Sequence, residues 1–104
     1  MEYLFNSKGK HIANLVGGQL HAPQGKNIGH FLENQGIFID MRGRYLGEIV
    51  SGNRLMRRRN SPHRSMNYGS YGNYGNAGNY GNPGNHGSIG SVGGFEDVPD
   101  ERLI

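Results

Sequence analysis

Residues 3–18, YLFNSKGKHIANLVGG, contain two short extended runs separated by a polar turn that ends in Gly9. Three further stretches follow the same pattern, the last in degraded form: QLHAPQGKNIGHFLEN (residues 19–34), IFIDMRGRYLGEIVSG (residues 37–52) and RLMRRRNSPHRSMNYG (residues 54–69). The turn position is held in order by Gly9, Gly25, Gly43 and Asn60. Asparagine is the usual substitute where a glycine supplies a positive φ angle. The first two thirds of the chain therefore consist of four related units.

The four units agree in chemistry position by position. A large apolar side chain stands five residues before the turn residue in Leu4, Leu20, Phe38 and Leu55. The first three units also share an aliphatic residue followed by a small one, Ile12-Ala13, Ile28-Gly29 and Leu46-Gly47, which the fourth unit lacks. Glycine or proline interrupts every candidate helix before three turns accumulate. Each unit is therefore predicted to be a β-hairpin.

Four hairpins in succession predict an all-β fold over residues 1–68, a shallow closed or nearly closed ring or barrel with approximate four-fold symmetry. Closure removes the exposed sheet edges that four separate hairpins would leave. A tail with glycine at every third position follows over residues 69–93, and residues 94–104 form an acidic C-terminal segment.

The unit LFNSKGKHIANLV, its recurrence as GKNIGHFL and GRYLGEIV, and the tail that closes on GGFEDV resemble the four-fold β-flower proteins. These are short, mostly uncharacterised bacterial proteins. The resemblance implies a shallow symmetric β-barrel and no particular activity. Because that architecture has been likened to tubby-like and scramblase-like domains, it also implies lipid headgroups as a ligand class. The degraded fourth unit departs from an even four-fold pattern.

The tail allows more than one interpretation. A collagen triple helix is disfavoured because the run contains only Pro83 and lacks the polyproline II bias of a triple helix. A flexible spacer with scattered aromatic side chains tolerates the period of three without requiring it. A packed polyproline II helix, the favoured interpretation, puts glycine on one face, Asn or Ser on the second, and a ridge on the third that consists of Tyr71, Tyr74, Ala77, Tyr80, Pro83, His86, Ile89 and Val92.

The charges of the two ends are opposite. Residues 1–66 carry ten Lys or Arg and four Asp or Glu, whereas residues 94–104 carry four acids and Arg102. A candidate anion-binding cluster consists of Arg54, Arg57, Arg58, Arg59 and Arg64. These guanidinium groups either bind phosphates of lipid or nucleic acid, or pair with the C-terminal acids Glu96, Asp97, Asp100 and Glu101.

One polar position, five residues after the turn residue, recurs in every unit as Asn14, His30, Glu48 and Ser65. If these side chains point toward the symmetry axis they form a mixed polar ring, and otherwise they alternate outward into water. One histidine and one glutamate are too few ligands for a metal. The sequence contains no nucleophile elbow, phosphate-binding loop or zinc-protease motif. We therefore expect neither an enzyme nor a cofactor.

These features predict a non-enzymatic interaction module. Its ring is expected to bind a partner protein or an anionic lipid surface, and its tail to mediate packing or self-association as a homo-oligomer. The alternative is binding of single-stranded nucleic acid through the arginines and tail tyrosines. That alternative is weaker because the tail is uncharged. The sequence shows neither a signal peptide nor an apolar run long enough for a membrane helix, so a cytoplasmic location is expected.

Overall fold

A computed structural model describes residues 1–104. It contains eight β-strands: β1 (Glu2–Phe5), β2 (His11–Val16), β3 (Gln19–His21), β4 (Asn27–Leu32), β5 (Ile37–Asp40), β6 (Tyr45–Val50), β7 (Arg54–Arg58) and β8 (Phe95–Asp97). A short 3₁₀-helix at Asp100–Arg102 follows them. None of the helical structure is long and apolar enough to cross a membrane.

The strands close into a barrel. Each strand from β1 to β8 pairs antiparallel with the next one, and β7 also pairs with β1 in parallel through Phe5 and Arg54. Two further hydrogen bonds stabilise this β1–β7 junction, the barrel seam. Phe5 N donates to Asn53 O at 2.9 Å, and Arg54 Nη1 donates to Asn6 O at 3.1 Å. Strands β1–β7 thus form a closed barrel with β8 as an extra strand, which confirms the all-β class and the closure.

The first three hairpins share one local geometry. In hairpin 1 the Gly9 N–H donates to Asn6 O at 3.1 Å, and the equivalent bonds at Gly25 and Gly43 measure 2.8 and 3.0 Å. Each hairpin also has a bulge directly after its large apolar residue, at Leu4, Leu20 and Phe38. A bulge bends the strand and increases its twist, so three bulges at equivalent positions help a short sheet to curve into a barrel.

One apolar cluster receives side chains from every hairpin and forms the barrel core. Its fully buried members include Leu4, Leu20, Phe38 and Leu55, the four residues of the predicted apolar layer. Gly29 and Gly47 bring strands together closely, since a Cβ at Gly29 would overlap Ile39 O. The C-terminal segment adds Val98 and Leu103 to this core.

The fourth predicted hairpin differs from the others. Residues 59–66 form turns instead of a second strand, and β8 lies beside β7 with Arg58 opposite Phe95 and Met56 opposite Asp97. The physical reason is composition, because residues 61–66 contain Pro62 and lack the aliphatic residue found in the other units. Val98, directly after β8, supplies apolar surface to the core instead.

The tail is not a continuous polyproline II helix. Most of its period-three glycines have positive φ, between 73° and 87°, whereas polyproline II requires about −75°. The N–H of Gly75, Gly78 and Gly81 each donates, at 2.7 Å, to the Oδ1 of the asparagine two residues earlier. The tail is thus a series of Asn-Xaa-Gly turns, in which the side chain accepts a bond and glycine provides the left-handed conformation.

The tail follows the hairpin turns around the barrel. The N–H groups of Tyr68, Ala77 and His86, spaced nine residues apart, donate to the carbonyls of Gly43, Gly25 and Gly9 at 2.9, 2.9 and 2.8 Å. The next residue at this spacing, Phe95, begins β8. Three tail triplets therefore correspond to one hairpin, and the tail passes the hairpins in the reverse of their order in the chain.

Candidate anion-binding site

Strand β7 places its arginines in different environments. Arg54 is only 7% exposed and binds main-chain and side-chain oxygens of Asn6 and Asn53 at the barrel seam. Burial and the seam contacts leave Arg54 unavailable to a ligand. The predicted cluster therefore divides into this structural arginine and the remaining four.

Arg57 occupies a half-buried position above Tyr45. Its guanidinium carbon lies 5.2 Å from the centre of the Tyr45 ring, and Nη1 donates to the Tyr45 carbonyl at 2.9 Å. Arg102 Nη2 donates to the same carbonyl at 3.1 Å. Two cationic groups therefore converge on one neutral acceptor.

Arg57 lies in a region of excess positive charge, close to Arg102 and Arg64. Burial lowers the pKa of Arg57, and the charges of Arg102 and Arg64 lower it further. Tyr45 and Glu96 act in the opposite direction without reversing the shift, and no carboxylate lies within ion-pair distance of Arg57. A desolvated cation that faces two like charges is stabilised by a bound anion.

Two of the neighbouring arginines, Arg58 and Arg59, form ion pairs within the chain. Arg58 Nε lies 3.5 Å from Glu48 Oε2, and Arg59 Nε lies 3.3 Å from Glu96 Oε1. Arg64 has no ion-pair partner and donates from Nη1 to the Arg59 carbonyl. The interpretation that the cluster pairs with C-terminal acids thus fits Arg59, while Arg57 and Arg64 remain without a carboxylate.

The other C-terminal acids do not serve the arginine cluster. The Asp97 carboxylate accepts hydrogen bonds from Ser7 N and Oγ at 2.8 and 2.7 Å, which fastens β8 to the turn of hairpin 1. Asp100 and Glu101 are exposed and form no ion pair.

Arg102 and Tyr45 belong to the site although sequence reasoning did not select them. Arg102 Nη2 lies 3.1 Å from Asp40 Oδ2. Burial acts to raise the pKa of Asp40, but N–H donation from Arg44 and Arg42 and the Arg44 and Arg102 cations lower it overall. In the sequence Arg102 counts only as the one cation of the acidic C-terminal segment, and no partner is predicted for it.

The predicted polar ring does not converge on the barrel axis. In the strand register Asn14 stands opposite Tyr3 and His21, and Glu48 stands opposite Met56. None of these residues belongs to the core cluster, so Asn14 and Glu48 lie on the other face of the sheet. Ser65 is exposed in the turns after β7. Glu48 Oε2 instead accepts from Tyr45 Oη at 2.7 Å, which draws it toward the arginine site.

Asn14 and His30 do not face water either, since both are buried, Asn14 beside His11 and His30 against the tail tyrosines Tyr71 and Tyr74. His30 is 2% exposed, stacks on Tyr71 with ring centres 5.5 Å apart, and is hydrogen-bonded through Nδ1 to Gln19 Oε1. Burial lowers its pKa. No group of three or more His, Asp or Glu side chains is arranged to hold a metal ion.

Comparisons with protein-family models, curated proteins and solved structures give no match to this chain. The residues themselves therefore carry the functional proposal.

Proposed function

We propose that this protein is a non-enzymatic binding module that recognises a phosphate-bearing anion through Arg57, Arg64 and Arg102. The observation that carries the proposal is the half-buried Arg57 guanidinium, which faces two other arginines and has no carboxylate partner. Arginine is suited to this role because its planar fork of donors matches phosphate oxygens and stays charged at any physiological pH.

The phosphate source that we propose is an anionic lipid headgroup. Arg58 and Arg59 flank the site with side chains that are 50% and 61% exposed, so the surface around Arg57 and Arg64 is open although these two flanking arginines are ion-paired. A basic patch near an anionic membrane contributes about 1 kcal/mol for each Lys or Arg. An assembled membrane surface would thus be favoured over an isolated phosphate.

Sedimentation with vesicles tests this function. We expect the protein to sediment with vesicles of phosphatidylcholine and phosphatidylserine and not with phosphatidylcholine alone. The double variant Arg57→Gln/Arg64→Gln removes the two cations that lack ion-pair partners without leaving a carboxylate unpaired. It should weaken binding about 30-fold, the equivalent of about 2 kcal/mol.

The double variant Lys8→Gln/Lys26→Gln is the control, because it changes net charge equally at exposed positions on other hairpins. Equal losses in both variants would mean that only net charge matters and would overturn the site. A wild-type protein that does not sediment would overturn the lipid ligand.

Nucleic-acid binding is the second candidate, and it is weakened by the positions of the tyrosines. Tyr71 and Tyr74 lie against His30, whereas the arginines gather over Tyr45. An oligonucleotide that bound with a steep salt dependence, and more tightly than the vesicles, would favour this alternative over the lipid.

The finer architecture belongs to the same proposal. We infer that β7 and β8 together act as the fourth unit of a barrel similar to the β-flower proteins, with β8 replacing the strand that residues 61–66 do not form. The tail supports this inference because its nine-residue spacing continues from the three hairpin turns to Phe95.

We also propose that the tail mediates self-association by docking on the turns of a second copy instead of its own. Concentration-dependent mass of the full chain, abolished by deletion of residues 70–87 with β8 and the core residue Val98 retained, tests that role. A monomer at every concentration would contradict it.

A further inference from the structure

An open cavity of about 510 Å³ lies between the turns of hairpins 1 and 2 and the tail, away from the arginine site. It is lined by Lys10, His11, Pro23, Gln24, Asn79, Gly81, Asn82 and Asn85. None of these is a large hydrophobic residue, but the carbon atoms of proline, glycine and the side-chain methylenes form more of the exposed wall than the polar atoms do. The volume falls within the range of small-molecule sites in proteins. A wall of polar groups set among small carbon surfaces suits a ligand that carries many polar groups on a carbon frame.

The lining offers hydrogen-bond donors in excess. Asn79 and Asn82 use Oδ1 to accept the N–H of Gly81 and Gly84 at 2.7 and 2.8 Å. Their amide NH₂ groups are thus left to donate to a ligand. Lys10 adds an ammonium group with no carboxylate within ion-pair distance. No acidic residue lines the cavity, so an anionic group meets no repulsion there.

The regular series of tail turns breaks at this cavity. Gly87 lacks the positive φ of its counterparts, and Asn85 does not accept its N–H as the earlier asparagines do. Asn85 therefore faces the cavity with both its donor and its acceptor uncommitted. Gln24, which is exposed at the opposite turn, adds a second amide of both kinds.

We propose that this cavity binds a hydroxyl-rich monosaccharide that carries one anionic group. Amides of Asn and Gln pair with hydroxyls in both directions, because each amide donates and accepts. The Lys10 ammonium matches the anionic group as a mobile point charge. A phosphate or a carboxylate would satisfy this chemistry equally.

Titrations followed by amide chemical shifts distinguish the sources, with glucose 6-phosphate, glucuronate, glucose and inorganic phosphate as probes. We expect both anionic sugars to perturb the amides of Gly81, Asn82 and Asn85, and to bind at least about tenfold more tightly than glucose or phosphate. If only one anionic sugar binds, that result identifies the anionic group.

Variants locate the site. Lys10→Gln should reduce the affinity for the anionic sugar to that for glucose. Lys26→Gln should leave it unchanged, because Lys26 has the equivalent place after the turn glycine of hairpin 2 but does not line the cavity. No binding by any sugar, tighter binding of glucose, or equal effects of the two lysine variants would overturn the proposal. Vesicle binding does not enter this test, so the two sites fail independently.

Discussion

Arg57 and Arg102 donate to the same main-chain oxygen, the carbonyl of Tyr45, at 2.9 and 3.1 Å. Their donor nitrogens can be no farther apart than the sum of these two distances. Asp40 compensates part of the charge of Arg102, whereas nothing comparable compensates Arg57. The pair is therefore held by the fold at a cost in repulsion, and an anion would relieve that cost.

The first prediction concerns thermal stability in phosphate. Inorganic phosphate should raise the Tm of the wild-type protein, because a ligand that binds only the folded state stabilises it by mass action. Each kcal/mol gained corresponds to about 4–8 °C in a chain of this size. Arg57→Gln should lose most of this increase while its Tm without phosphate stays the same or rises, since the repulsion is removed.

Lys26→Gln is the matched control, with the same loss of charge on hairpin 2. Calorimetric scans in phosphate and in chloride of equal ionic strength make the comparison. An identical phosphate effect in the wild type and in Arg57→Gln would contradict anion binding at this site.

The second prediction compares two turn glycines. Gly9 and Gly52 have φ angles of +89° and +88°, so alanine suffers the same backbone strain, about 1–2 kcal/mol, at either position. A Cβ at Gly9 would overlap the carbonyl of His86, whereas a Cβ at Gly52 meets nothing within 4 Å. We expect Gly9→Ala to detach the tail from hairpin 1, and Gly52→Ala to leave it in place.

Hydrogen exchange checks this comparison at two tail amides. The N–H groups of His86 and Ile89 bond to Gly9 O and Ser7 O, so they should lose protection in Gly9→Ala and keep it in Gly52→Ala. Similar exchange rates in both variants would mean that strain, rather than the close approach of the tail, requires glycine at the turns.

The third prediction is a loss of stability in alkali. Burial raises the pKa of Tyr45 to about 12, with a contribution from its hydrogen bond to Glu48, against a usual value of 10.0. In the unfolded chain this phenol ionises near pH 10, whereas the folded protein keeps it protonated. Its contribution to stability is therefore complete below pH 10 and is lost as the pH rises toward 12.

Denaturant titrations between pH 8 and pH 12 measure this loss. Tyr45→Phe should be less stable at neutral pH, because the hydroxyl donates to Glu48 and accepts from the Arg58 N–H at 2.9 Å. The same variant should lose less stability than the wild type above pH 10. Parallel curves for the two proteins would contradict the raised pKa.

The repeat was enough to predict the first three hairpins, because in each of them the large apolar residue stands five residues before the turn glycine. Phe38 is buried in the core as that spacing predicted. The strand beside β7 could not be predicted in the same way, because β8 is separated from β7 by the whole tail and contains only FED. The local sequence pattern does not show that β8 pairs with β7, because this pairing depends on where the long tail returns to the barrel.

The conformation of the tail and the composition of the arginine site could not be predicted from local sequence either. Period three is compatible with both a polyproline II helix and a series of Asn-Xaa-Gly turns, and the side-chain bonds from asparagine decide between them. The tyrosines of the expected buried ridge are exposed, at 49% for Tyr71 and 62% for Tyr74. The ridge nevertheless faces the barrel in part, since Tyr71 stacks on His30 and Ala77, Pro83, Ile89 and Val92 are half-buried. The meeting of Arg57 with Arg102 depends on where the C-terminal segment lies, and sequence spacing carries no information about that.

The last prediction is that the tail tolerates lengthening by one triplet but not shortening by one triplet. Three triplets separate Ala77, which binds Gly25, from His86, which binds Gly9. Deletion of residues 79–81 leaves two triplets for the same span, so the turns must open or a contact must be lost. Insertion of one Asn-Ala-Gly triplet after residue 81 adds only a larger loop, at a cost well below about 1 kcal/mol.

We expect the deletion to reduce the free energy of unfolding and to expose the amides of β8. The insertion and the length-preserving Tyr80→Ala should both retain protection at His86. Urea unfolding with hydrogen exchange measures both quantities. If deletion and insertion destabilise the protein equally, the register of the tail on the hairpins carries no energetic weight and the nine-residue correspondence is incidental.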